Sequence, residues 1–105
     1  MDDPFFGAYD GLDGRIKAGC DRLDVGDETA ETAVEAARQY MLNVPSQSRS
    51  PNVIAASAVY YAVLRHNKRH IGQDDVTAVF DTNQTSLRDL YRKIGENIDL
   101  TFHGD

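Results

Sequence analysis

The segment Ser50–Leu64, SPNVIAASAVYYAVL, constrains the fold more than any other part of the chain. It opens with a helix-start signal: a serine hydroxyl can accept from the free amides of the first turn, and Pro51 at the first helical position gives up no hydrogen bond. From Val53 to Leu64 every residue is apolar or small, so the helix it forms has no polar face. In water such a helix must be enclosed by other helices. At 15 residues it is shorter than the roughly 20 apolar residues that cross a bilayer. The expectation is a central helix inside a bundle.

Periodicity supplies the neighbours. Leu12, Ile16, Cys20 and Leu23 recur at helical spacing, although Gly14 and Gly19 within that stretch weaken the pattern. A second stripe comprises Ala30, Ala33, Val34, Ala37, Tyr40, Met41 and Val44. Asp27 is placed to cap it, with Glu28 and Glu31 near the positive end of the helix dipole. Val76, Val79 and Phe80 form a short third stripe ended by Asp81-Thr82-Asn83. Leu87, Leu90, Tyr91, Ile94 and Ile98 form a fourth. No segment alternates at period two, so the predicted class is all-α: five helices around an apolar third one, the last two joined as in a helix-turn-helix.

A chain of 105 residues buries about two-thirds of its unfolded surface, enough for one core. The expected organisation is an N-terminal arm over 1–9, extended or loosely docked, one domain over 10–98 and a C-terminal tail over 99–105. A single cysteine, Cys20, excludes an internal disulfide, and its place on an apolar stripe marks it as a core residue. With no signal peptide or membrane-spanning segment visible, the expected location is the cytoplasm.

Charge is uneven along the chain. Residues 1–47 carry ten acidic and four basic groups, whereas residues 48–105 carry seven of each. Aspartate (13) outnumbers glutamate (4), and only three of the 11 cations are lysine. That balance is expected of a halophilic protein, whose acidic surface keeps it soluble in concentrated salt. With a Debye length of about 3 Å at 1 M salt, an acidic face repels DNA little and phosphate contacts add little affinity. An ordinary acidic cytosolic protein is the simpler reading of the same numbers.

Five helices around a hydrophobic third one resemble a cyclin box. The residues are similar to the cyclin-like repeats of archaeal transcription factor B, the counterpart of eukaryotic transcription factor IIB. Ser50, Pro51, Ala55, Ala56, Tyr60 and Ala62 match the Ser-Pro start, the Ala-Ala pair and the following Tyr and Ala of their central helix. Ser86, Arg88 and Tyr91, followed by Arg92 and Lys93, match the last helix. The resemblance covers about residues 10–98. The same residues also have a plain packing explanation, since Ala55, Ala56, Ser57 and Ala58 let neighbouring helices approach and Tyr60 and Tyr61 supply large apolar area. The family's initiation factor has two repeats and a zinc ribbon, and one isolated cysteine cannot build such a ribbon. A stand-alone box is therefore the expectation.

The resemblance implies transcription regulation, because in the family's second repeat the helix corresponding to Gln84–Ile98 enters the major groove beside the TATA element. The candidate DNA-binding residues are Gln84, Thr85, Arg88, Arg92 and Lys93, opposite the Leu87/Leu90/Tyr91/Ile94 stripe. Glutamine can pair bidentately with adenine and arginine with guanine, each worth about 1–3 kcal/mol of discrimination. A solvated helix face is the alternative, and Asp89 between the arginines argues for it. Arg65-His66-Asn67-Lys68-Arg69-His70 is a second cationic segment. Arg65, Lys68 and Arg69 are candidates for phosphates or an acidic partner, or simply complement the C-terminal dipole of the helix before them. His66 and His70 have metal-pair spacing but no third ligand, and Asn83-Gln84-Thr85 fits a glycosylation sequon by chance. Asp74-Asp75 is best placed at a helix start. No nucleophile–base pair, phosphate loop or metal set is visible, so neither catalysis, metal nor cofactor is expected.

Two function classes stay open. One is a regulator contacting promoter DNA or the basal initiation machinery. The other is a protein-only adaptor that docks a partner helix or peptide without binding DNA, favoured by the net charge of −6. A homodimer through Phe5, Phe6 and Tyr9 would restore two boxes.

Overall fold

In a computed structural model of the protein the described backbone covers residues 4–43, 50–68 and 70–97, with side chains from residue 11 to residue 96 of those segments. Five helices follow in order: α1 (Pro4–Leu23), α2 (Asp27–Asn43), α3 (Pro51–Arg65), α4 (Gln73–Phe80) and α5 (Gln84–Asn97). Among the described residues there is no strand. The all-α class, the helix count and the limits of α4 agree with the periodicities.

The apolar third helix is the axis of the bundle, and each of the other four packs against it. Ile54, Ala55, Ala56, Ser57, Ala58, Val59, Ala62 and Val63 are all buried. Its alanines explain how four neighbours fit, because the distance between helix axes is set by the side chains at the contact. The enclosure ends at the last turn, where Leu64 is 41% exposed. At its start Ser50 is extended (φ −69°, ψ 154°), and its Oγ accepts from the Val53 N–H at 3.3 Å, ahead of Pro51. Removing that cap with Ser50→Ala is expected to cost about 1 kcal/mol. Ser50→Asp, which keeps an acceptor, is expected to restore most of it in a urea titration.

Around this axis the predicted stripes face inward. Leu12, Ile16 and Cys20 of α1, Ala33, Val34, Ala37, Tyr40 and Met41 of α2, Val76 and Phe80 of α4, and Leu87, Leu90 and Ile94 of α5 join one core. Burial pushes the Cys20 thiol up to about 11, with the neighbouring Asp21 charge adding to the shift. Val44 and Ile98, the outer members of two stripes, lie outside the described residues.

Three local expectations are corrected. The helical backbone of α1 starts at Pro4, so most of the segment read as an extended or loosely docked arm is helix. The side chains of Phe5, Phe6 and Tyr9 lie outside the described residues. Asp27 is the first helical residue of α2, not its cap; the Gly26 carbonyl, at φ +92°, accepts the first helical bond from Ala30. Gly19 is a packing requirement, because the Phe80 ring stands end-on against its Cα.

Three helices stop without glycine. Asp24, Asn67 and Asp81 adopt φ of 58°, 58° and 56°. The next residue's N–H reaches back to the carbonyl five positions earlier: Val25 to Cys20, Lys68 to Val63 and Thr82 to Thr77. This is the Schellman arrangement, with Asp or Asn in the left-handed position that those short polar side chains tolerate. It also buries Val25, at 2% exposure, a core residue outside every helical stripe.

Candidate nucleic-acid interface

The last helix is held from three sides. Asn83 caps it, its Oδ1 accepting from the Ser86 N–H at 2.8 Å. Leu87, Leu90 and Ile94 are fully buried, which fixes the rotation of α5 about its axis. The buried Ser57 hydroxyl of α3 donates to the Leu87 carbonyl at 3.4 Å. Farther along, Tyr60 meets Tyr91 edge-on, with centroids 5.0 Å apart and planes at 81°. These contacts run from Ser57 to Tyr60 on one helix and from Leu87 to Tyr91 on the other, so α3 and α5 point in the same sense.

With the core face fixed, Gln84, Thr85, Arg88, Arg92 and Lys93 are all exposed. Arg88 and Arg92 lie one turn apart along one face, about 6 Å of rise. Two of the five are engaged by carboxylates. The Gln84 side-chain amide donates to Asp74 Oδ1 of α4, and Lys93 Nζ lies 3.9 Å from Asp89 Oδ2. The Asp74-Asp75 pair divides its work: Asp75 Oδ2 accepts from the Gly72 N–H at 2.9 Å, closing the start of α4, while Asp74 reaches toward α5. The contact between Asp74 and Gln84 could not be read from sequence, because it depends on how the Asp81–Asn83 turn folds the two helix starts together.

The second cationic segment is placed apart. Arg65 is exposed as the last residue of α3 and Lys68 is half-buried beyond it. Arg69 lies outside the described residues. Because α3 and α5 run in the same sense, this segment leaves the bundle toward the end reached by Arg92, away from Gln84. His66 is the C-cap of α3, and its Nε2 lies 2.8 Å from the Thr32 hydroxyl of α2. It is therefore a tie between two helices, and it does not share a helical face with His70. Among the described residues no group of three or more His, Cys, Asp or Glu is arranged to hold a metal ion. No helix there is long and apolar enough to cross a membrane.

Neither a curated protein nor a solved structure matches this chain. A family model does, that of the transcription factor TFIIB repeat, over residues 13–97. The matched span takes in α2 to α5 whole and all of α1 from Asp13 onward. It includes the Ser-Pro start of the buried helix, its Ala-Ala pair and the Arg88–Lys93 face of α5. The five-helix arrangement and this match agree, and the chain belongs to the TFIIB repeat family.

Proposed function

We propose that this TFIIB-type repeat is a transcription regulator that contacts promoter DNA or the basal initiation machinery through the exposed face of α5. The observation that carries the reading is Thr85, Arg88 and Arg92 facing outward from a helix whose opposite face is locked in the core. The helix-turn-helix-like pairing of α4 and α5 supports it. A binding role, with no enzymatic step, belongs to the same reading, as does a working environment of concentrated salt.

The second reading is a protein-only adaptor. The engagement of Gln84 by Asp74 and of Lys93 by Asp89 favours it, because both contacts place carboxylates beside the face that would meet phosphates. Like charge at that distance opposes phosphate binding except where salt screens it.

An amide NMR titration separates the two. The probe is a short duplex carrying a purine-rich element beside a TATA box, with a scrambled duplex as control, both in roughly molar KCl. The expected result is shifts confined to Gln84–Lys93 with the specific duplex alone. Arg88→Gln/Arg92→Gln is expected to weaken that binding by at least tenfold, since each base-reading arginine is worth about 1–3 kcal/mol. Equal shifts with both duplexes around Arg65–His70 would mean phosphate attraction only. No shift with either would leave the adaptor reading.

A further inference from the structure

A second surface feature uses none of the α5 residues. A groove of about 320 Å³ runs between α1, the start of α3 and the end of α4. Its apolar lining is Ala18, Val79 and the Phe80 ring where it meets Gly19. Its rim carries Arg15 and Arg22, both exposed. Among the described residues neither of these guanidinium groups has a carboxylate partner, although the chain carries 17 acidic side chains against 11 basic ones. Arg15 donates instead to the neutral Asn52 side chain at 2.8 Å, which holds it over the groove. Among the described lining residues Asp81 alone is acidic.

The spacing narrows the occupant. Arg15, Ala18, Gly19 and Arg22 follow the i, i+3, i+4, i+7 pattern of one helix face, with the two cations about 10 Å apart along α1 and small residues between them. A second helix laid along that face can approach over the exposed Ala18, beside the Phe80 ring that covers Gly19. Carboxylates at its own positions i and i+7 would then meet the two arginines, and apolar side chains at i+3 and i+4 would enter the groove. We propose that this groove docks a short amphipathic acidic helix of a partner protein. Charge complementarity selects the partner's sign, and the two-turn spacing selects its form.

The test is fluorescence anisotropy at low and molar salt with a labelled peptide. It carries Glu at positions i and i+7 and Leu and Phe at i+3 and i+4, in an Ala/Gln background. A version with Lys in place of both Glu is the control. The expected result is saturable binding of the Glu peptide, weakened in molar salt, with amide shifts at Ala18, Gly19, Val79 and Phe80. Arg15→Gln/Arg22→Gln is expected to lower affinity about tenfold with unchanged melting. Asp81→Asn, which keeps a side chain that tolerates the left-handed backbone, is expected to raise it a few-fold. Arg22→Gln alone leaves the Arg15–Asn52 bond intact and should still weaken binding severalfold. Equal binding of the Lys peptide, unchanged affinity in the arginine variants, shifts centred on another surface, or no binding would each overturn the proposal.

Discussion

Leu90→Ala is expected to destabilise the protein by about 2–5 kcal/mol, the cost of removing a buried leucine and leaving a cavity. Leu90 is 0% exposed on α5, a helix that packs against α2, α3 and α4. Its loss would therefore be felt by several neighbours that cannot all relax toward it. Small domains have about 5–15 kcal/mol in total, so this variant would lose a large part of its stability. In urea the midpoint should fall with the slope unchanged, which separates lost packing from a change in the unfolded chain. A loss below about 1 kcal/mol would mean that α5 is not held by this contact. The rotational setting of its outward arginines would then need another explanation.

Gly19→Val is expected to cost roughly 3 kcal/mol, at the upper end for overpacking a close-packed site. A Cβ at Gly19 would lie 2.7 Å from both Cε atoms of Phe80 and nearer still to Cζ. The ring is itself buried at 6% exposure, so it cannot swing freely into solvent. Gly14 provides the contrast, because a Cβ there meets nothing within 4 Å. Gly14→Ala is expected to gain about 1 kcal/mol, the ordinary preference of a helix interior for alanine over glycine. Trimming the ring in a Gly19→Val/Phe80→Leu double variant is expected to recover part of the loss, as residues in direct contact are non-additive. Thermal melts of the four proteins would check this. Equal effects at Gly14 and Gly19 would refute the close approach of α1 and α4.

These two glycines separate what each level of information holds. By sequence they look alike, two weak points in one helical pattern. Only the docking of Phe80 from α4, far along the chain, makes one of them indispensable and leaves the other a helix defect. The candidate site divides in the same way. That Gln84, Thr85, Arg88, Arg92 and Lys93 share the outside of a helix follows from the spacing of Leu87, Leu90 and Ile94. That Asp74 engages Gln84 does not follow, because the two residues meet only after the turn has folded.

The five helices, their order, the buried third helix and its Ser50-Pro51 start can all be read from the amino-acid pattern. Each of these rests on local physics: a repeat of 3.6 residues, a cap within three residues, and a segment with no polar face. Tertiary structure alone decided the Gly19–Phe80 contact, the Tyr60–Tyr91 pair, the Thr32–His66 tie and the groove under Arg15 and Arg22. All of them join side chains from different helices, and their meeting depends on the angles and distances at which those helices pack, which no local pattern encodes.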